Sequence, residues 1–502
     1  MHQLTGLDAS FLYMETPTQA MHISGLSIYD QTTAPGGAVR FKEIIANIAD
    51  RVRPLPAMTR RLQQVPFALD HPYWVSDGNF DPEFHIRHIA LPKPGDWRQL
   101  CILISRLHAR PLDRARPLWE MYIIEGLDNV EGVPPGSFAM FSKTHHAAID
   151  GASGIEMMSA IHDLTPEYKP VAQPLPVPAD RQPSRTELLW RAQLNNIKKP
   201  FHFVSVARNT VPGFASALNR LRKGELQRVK DVPRTRFNGK VSAHRVFDAA
   251  QFSLEDIKLI KNSVSGATVN DTALTIVGGA LRKYLAYHGE LPEQSLAAMA
   301  PINVRSDKDQ SGGNMVSSMT VRVRSDIENP LHRLAEVHES TRNAKELAQA
   351  VGAKAMADYT EFLPSMLTAQ AARLASRLGW SNRFQMNFNC VITNVPGPQF
   401  PLYSTGAKMV ANFGTGPVLD GVALFHVVGS YNGSMTISAT SCREIMPDPA
   451  FYKQCIVESF EELKTAALQL GAAGASQAGA KIKSAGASPK RRKSASASAE
   501  PA

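Results

Sequence analysis

Cysteine is scarce in this chain. Cys101, Cys390, Cys442 and Cys455 are scattered through 502 residues, with no CxxC pair and no metal-type spacing. That pattern argues against a disulfide framework and fits a reducing compartment. No Lys or Arg precedes Arg40, so the N-terminal stretch lacks the basic start of a secretory signal. No apolar run reaches about 18 residues, which argues against a membrane-spanning helix. Short repeats are missing too, and with them solenoids and propellers. There is no HExxH, and the stretch around Ser153 reads GASGI rather than a GxSxG elbow. A zinc hydrolase and a serine nucleophile on a strand–helix elbow are therefore disfavoured.

The 43% apolar content is that of a globular protein, and the length is too great for one ordinary core, so two domains with linkers are expected. The net charge of +10 is unevenly placed. Between Asp180 and Lys240 there are 14 Lys/Arg against four Asp/Glu, and from Gly471 to Ala502 six against one. The rest of the chain is mildly acidic. The basicity thus belongs to a linker and a tail, and suits phosphate-bearing partners: an anionic membrane, a phosphorylated cofactor or nucleic acid.

Residues 1–165 read as a mixed α/β lobe. FKEIIANIADRV (Phe41–Val52) and RQLCILISRLHARPL (Arg98–Leu112) have helical periodicity, while MYIIEGL and SFAMFSKT read as strands. GIEMMSAIHDL (Gly154–Leu164) reads as a helix. The prolines of Thr165–Pro183 mark a linker, and 184–224 resembles two basic amphipathic helices broken near Pro200 and Pro212. Those helices either cross between lobes or lie on a membrane surface. Residues 166–240 form this crossover, and a second α/β lobe spans 241–470. It holds two helical stretches around the polar turn SGATVND, the strands MTVRVRS, FNCVITNV, ALFHVVGSY and SMTISATS, and a closing helix FYKQCIVESFEELKTAALQL. The Ala/Gly/Ser-rich tail 471–502, with its PKRRK, is expected to be disordered and to bind nucleic acid only weakly.

Between the second strand and the following helix lies SKTHHAAIDG, Ser142–Gly151. Adjacent side chains of an extended segment point to opposite faces, so His145 and His146 do not readily share one ion. An isolated histidine pair is most often structural. Here the pair sits at a strand-to-helix junction, with Asp150 to orient the loop and Gly151 to let the backbone turn. A neutral imidazole in that place can take a proton from a hydroxyl near pH 7.

HHAAIDG resembles the HHxxxDG motif of the bacterial wax ester synthase/diacylglycerol acyltransferase family, part of the wider group of CoA-dependent acyltransferases. RPLWE (Arg116–Glu120) is similar to that family's PLW block, NDTAL (Asn270–Leu274) to its ND block, and PINVR (Pro301–Arg305) and NVPGP (Asn394–Pro398) to later segments. LDASFLYMETPTQAMHISG is similar to its N-terminus. The resemblance runs in order from residue 1 to about 465 and leaves the tail outside.

It implies an α/β, two-lobed fold like chloramphenicol acetyltransferase, with a tunnel between the lobes. His146 would be the general base on the acceptor hydroxyl, which attacks the thioester of a long-chain acyl-CoA. His145 would shape the site, and Asp150, with Arg305 as a candidate partner, would hold the loop beside Gly151. Asn270 would bind the oxyanion or acceptor, or cap its helix. Glu15, Pro117, Leu118, Trp119, Asp271, Asn394, Pro396 and Gly397 complete the expected substrate-binding set. Trp119 also reads as a core aromatic, and Asp271 as structural. No metal or redox cofactor is implied, since acyl-CoA is a co-substrate and its thioester supplies the driving force. The acceptor is diacylglycerol, a long-chain alcohol or both. The expected location is cytoplasmic, peripheral to the inner membrane or lipid droplets. An amide-forming condensation enzyme and a non-catalytic lipid-droplet protein are the alternatives.

Overall fold

The computed structural model describes residues 1–149, 157–167, 181–197, 219–220, 222–224, 229–303, 316–351 and 386–485. In the first half these form β1 (His2–Gln3), α1 (Gly6–Met14), β2 (His22–Asp30), α2 (Phe41–Val52), α3 (Pro56–Thr59), β3 (Arg60–Gln63), β4 (Tyr73–Ser76), α4 (Pro82–His85), β5 (Ile86–Ala90), α5 (Trp97–His108), β6 (Trp119–Glu125) and β7 (Phe138–His145). A helix over 185–197, α6, follows. The second half contains β8 (Arg245–Ser253), α7 (Leu254–Asn262), α8 (Val269–Tyr287), β9 (Ala297–Asn303), β10 (Val316–Arg322), α9 (Pro330–Val351), β11 (Cys390–Pro396), β12 (Tyr403–Ser404), β13 (Ala407–Thr415), β14 (Phe425–Tyr431), β15 (Ser434–Cys442) and α10 (Pro449–Ala485).

Two six-stranded sheets carry the lobes, in the orders β12-β13-β2-β7-β6-β5 and β10-β9-β11-β14-β15-β8. A three-stranded sheet, β1-β4-β3, stands beside the first. The first sheet takes β12 and β13 from the second half of the chain, with Thr415 opposite Ser24 and Lys408 opposite Asp30. A division near residue 241 therefore does not separate the two sheets. α5 closes the junction: the Trp97 indole N–H donates to Asp248 on β8 at 2.8 Å. Leu100 and Ile104 of α5 share one core with Phe247, Ala249 and Phe413.

The two faces of β7 can be followed residue by residue. Ala139 and Phe141 lie in the core shared with α5, whereas Phe138 and Met140 lie with α2 residues Ile44 and Ile48. By the two-residue repeat of a strand, Lys143 and His145 continue the α5 face, and Thr144 and His146 the α2–α3 face.

Several sequence expectations meet their elements closely. Phe41–Val52 is α2 at its expected bounds. The second expected helix begins at Trp97, capped by the Asp96 side chain on Gln99 N, and stops at His108, three residues before Pro111. The stretch expected as a helix from Gly154 is helical over 157–160, and its residues before 157 lie outside the described ones. So do 168–180 of the linker, all of 198–218, and the end of the tail beyond Ala485. The closing helix extends past the expected end near Leu470, to Ala485. Alanine is the strongest helix former, and the segment is alanine-rich.

Candidate active site

The first histidine is fixed by three elements. Its backbone N–H donates to Leu118 O at 2.9 Å, while the next amide, that of His146, donates to Met21 O at 2.8 Å on the other side. Successive amides pointing to opposite neighbours show that the chain is still extended there, so the two imidazoles diverge. The chain then turns, with Ala148 N donating to His145 O at 2.9 Å.

His145 is fully buried. Its Nδ1 accepts the Ala147 N–H at 3.0 Å, which leaves the proton on Nε2, and Nε2–H donates to Glu15 at 3.0 Å. Glu15 is where it is because α1 ends there. Thr5 caps the helix start by accepting Asp8 N, and the residue before Pro17 is barred from continuing the helix. The Glu15 carboxylate also accepts Met21 N at 3.1 Å, and Arg114 through Nε at 3.2 Å and a terminal nitrogen at 3.0 Å. Burial alone would raise the Glu15 carboxyl. The hydrogen bond from His145, the Arg114 charge and the Met21 N–H outweigh this and hold it below the usual carboxylate range. Burial lowers His145 despite Glu15. The pair is thus a carboxylate and a neutral imidazole. Glu15 was expected among the substrate-binding residues; its oxygens are instead taken up by protein donors.

His146 leads into the turn and is partly exposed. Its ring stacks on Phe11 of α1, centroids 4.0 Å apart at 17°. Burial, with a smaller contribution from His145, holds its pKa down to about 4. The imidazole is therefore neutral at pH 7 and able to accept a proton. A small apolar cavity opens on the same face, lined by Leu55, Met58, Thr144, Ala148, Ile149 and Met157.

The PLW block supports this turn from behind. Pro117, Leu118 and Trp119 are buried. Leu118 packs with Ala147, Ala148 and Leu12 of α1. Trp119 stacks on His85 at 4.5 Å, and its indole N–H donates to Met58 O at 2.8 Å. It thereby anchors α3, one wall of the cavity, from the core, and its expected substrate contact is replaced by a packing one.

The later blocks gather on the second sheet. Thr268, not Asn270, caps α8, accepting Asp271 N while Asp271 reaches back to the Thr268 N–H. Asp271 is buried, and its carboxylate also accepts from His338 Nδ1 at 3.0 Å. Its expected place in substrate binding gives way to this capping role. Asn270 is left free of the cap, and its Oδ1 accepts the exposed Asn394 amide at 3.3 Å. β11 pairs with β14 from Val391 to Pro396, but with β9 only at Cys390 and Val391. Beyond Val391 no further β9 pairing occurs among the described residues, and Asn394 and Pro396 there are exposed. Gly397 closes this strand: its N–H donates to Ser430 O at 2.9 Å, and a Cβ there would meet that oxygen at 2.4 Å. Asp150, Gly151 and Arg305 lie outside the described residues.

Three contributors escaped the sequence reading. Phe11 and Arg114 touch the two histidine systems, but neither lies in a motif whose spacing specifies a contact. Lys143, fully buried, bonds Glu120 at 3.1 Å and the carbonyls of Leu107 and Arg110. Burial lowers its pKa against the pull of Glu120.

A two-lobed α/β molecule with exchanged strands and a neutral histidine after β7 falls in the fold class of chloramphenicol acetyltransferase-like acyltransferases. A condensation domain of the calcium-dependent antibiotic synthetase shares the fold at a TM-score of 0.56 and 12% identity, over 93% of this chain and 96% of that one. The sequence narrows the class. Residues 4–273 match the wax ester synthase/diacylglycerol acyltransferase catalytic domain, and 312–464 the C-terminal domain of that family. The chain belongs to this family and is an acyltransferase. A putative diacylglycerol O-acyltransferase of Mycobacterium tuberculosis is 33% identical over 449 residues, 89% of this chain and 87% of its own. The O-acyltransferase WSD of Acinetobacter baylyi is 31% identical, over 89% and 93%. The solved wax ester synthase/diacylglycerol acyltransferase of Marinobacter aquaeolei VT8 is 28% identical with a TM-score of 0.64, over 93% of this chain and 99% of that one.

Proposed function

We propose that this chain moves a long-chain acyl group from acyl-CoA to the hydroxyl of diacylglycerol or a long-chain alcohol, giving triacylglycerol or a wax ester. The observation that carries the reading is the neutral His146 imidazole, stacked on Phe11 at the turn whose Ala148 and Ile149 line a small cavity. His146 accepts the hydroxyl proton as the oxygen attacks the thioester carbon. The tetrahedral intermediate then expels CoA, and the same imidazole returns the proton to the departing sulfur. Because burial disfavours the imidazolium, that ion is short-lived and the proton passes on quickly. Glu15 and Arg114 hold His145, and His145 holds the turn, so these three position the base without reacting. Asp150 and Arg305 keep their proposed loop-holding roles, and Asn270 with Asn394 offers amides for the oxyanion or acceptor. No metal or redox cofactor enters this chemistry. An acceptor of this kind resides in lipid, so peripheral contact with an anionic membrane or lipid-droplet surface belongs to the same reading.

CoA release from palmitoyl-CoA, measured with diacylglycerol or hexadecanol, tests the proposal. His146→Ala should lower turnover by about 10²–10⁴-fold. Turnover unchanged in that variant would overturn the mechanism.

A further inference from the structure

α6 is apolar on both sides. Its inner side is held by packing: Leu188 and Ala192 bury against Val65 and Tyr73. Asn195 Nδ2 donates to Asp70 at 2.8 Å and to Gln3 at 3.0 Å. The opposite side carries Trp190, Leu194 and Ile197, spaced i, i+4, i+7 and 66%, 39% and 58% exposed. A helix resting on a domain ordinarily turns polar residues outward, and a contiguous apolar stripe in that place marks a contact surface.

The loop after β3 adds to it. Phe67 is 80% exposed, and it and Ala68 both hold left-handed backbone conformations, φ 59° and 52°. That conformation is disfavoured for residues with a Cβ. Leu69 is exposed beside them, and its carbonyl accepts the Asn196 amide at 3.1 Å, which ties the loop to the end of α6. Arg191 borders the stripe, and Glu187, one turn before Trp190, is bridged by Arg181 and Arg191. The chain from Asp180 to Lys240 has ten more basic than acidic residues. An apolar stripe with an indole, bordered by an arginine and set in a basic stretch of chain, has the chemistry of a helix lying in the interface of an anionic bilayer.

We propose that α6 and the 65–69 loop are the surface on which this protein docks to anionic lipid, with Trp190, Leu194, Ile197 and Phe67 entering the headgroup boundary. The inference rests on the lipid-acceptor reading above and names the face that serves it. That face is also mechanically close to the catalytic turn. Asp70 adjoins His71, whose Nδ1 bonds the Tyr13 hydroxyl at 3.1 Å, and Tyr13 lies two residues from Phe11 on α1.

The test is flotation of the full chain with vesicles of phosphatidylcholine, with and without one third phosphatidylglycerol. Four proteins are compared: wild type, Trp190→Glu/Leu194→Glu, Phe67→Ser, and Leu259→Glu as an exposed-leucine control on the other lobe. Wild type should bind the anionic vesicles and bind neutral ones weakly. The double variant should lose at least about tenfold in partitioning, Phe67→Ser should lose less, and the control should be unchanged. A circular dichroism melt checks each variant. Should the double variant fail to fold, Trp190→Gln, expected to lose about threefold or more, takes its place. Equal binding by wild type and the stripe variant, or no binding by wild type, overturns the proposal. So does a wild-type dimer in size-exclusion that the stripe variant abolishes, since the stripe would then cover a second copy. The readout is independent of turnover: vesicle binding through the stripe without CoA release would leave docking standing and remove the acyl-transfer reading.

Discussion

Removing the Glu15 carboxylate separates a positioning role from a substrate-binding one. In Glu15→Ala, the fully buried His145 Nε2–H loses its acceptor, which costs about 1–3 kcal/mol. The Met21 N–H loses a second acceptor, worth about 1 kcal/mol. Arg114 is partly exposed and can turn to water, so it adds little. The sum is about 2–4 kcal/mol. Unfolding entropy near 2 cal/mol/K per residue, over roughly 450 residues, converts this to only about 2–4 °C in Tm. A urea midpoint is therefore the better stability readout. The effect on turnover should be larger. Without Glu15 the His145 ring can rotate, its Nδ1 releases the Ala147 N–H, and the turn carrying His146 loosens. A misplacement of about 1 Å at a base costs on the order of 100-fold. Glu15→Gln keeps an acceptor but loses the charge, and should fall between the two, near tenfold. In both variants kcat should drop while the KM for acyl-CoA stays within about twofold, as uniform substrate binding is untouched. A raised KM at unchanged kcat would place Glu15 against substrate and refute this account. Wild-type kcat in a folded Glu15→Ala would refute it equally.

Three further outcomes follow from the same structure. With His146 held near pKa 4, the acid limb of kcat/KM should have its midpoint closer to 4 than to the ordinary histidine value of about 6.5. Stability should fall over the same window. Burial places His108 at about 3 and His162 and His426 at about 4. The unfolded chain therefore binds more protons below about 6.5, and each such histidine removes roughly 2 kcal/mol between pH 7 and pH 5. A urea midpoint that holds or rises over that range would contradict the neutral, buried assignments. At the end of β11, Gly397→Ala forces a Cβ against Ser430 O and should cost about 1–3 kcal/mol. Because that strand carries Asn394, turnover should fall with stability. An unshifted urea midpoint would show that the strand gives way at no cost.

Local pattern carried much of this molecule. The apolar spacing of Phe41–Val52 and the apolar run of SFAMFSKT mark their own elements, since each is decided within a few residues. The HHxxxDG motif likewise named His146, and strand alternation alone separated it from His145. What the sequence could not show was partnership across long spans. Alternation says which side chains share a face but not which strand lies alongside, so the entry of β13 into the first sheet beside β2 was invisible. The same holds for Glu15 and His145, which are 130 residues apart, and for Asn270 and Asn394, 124 apart. In each case the motif flagged the residue, while the role came from packing. Glu15 turns to a histidine because α1 ends before Pro17 over the end of β7. Trp119 turns to the core because β6 is flanked on both faces. Asp271 turns to the helix start because Thr268 and His338 meet it there. Sequence by itself determined the chemistry available to this protein; tertiary structure decided which groups are held in place and by what partners, because those contacts join segments far apart in the chain.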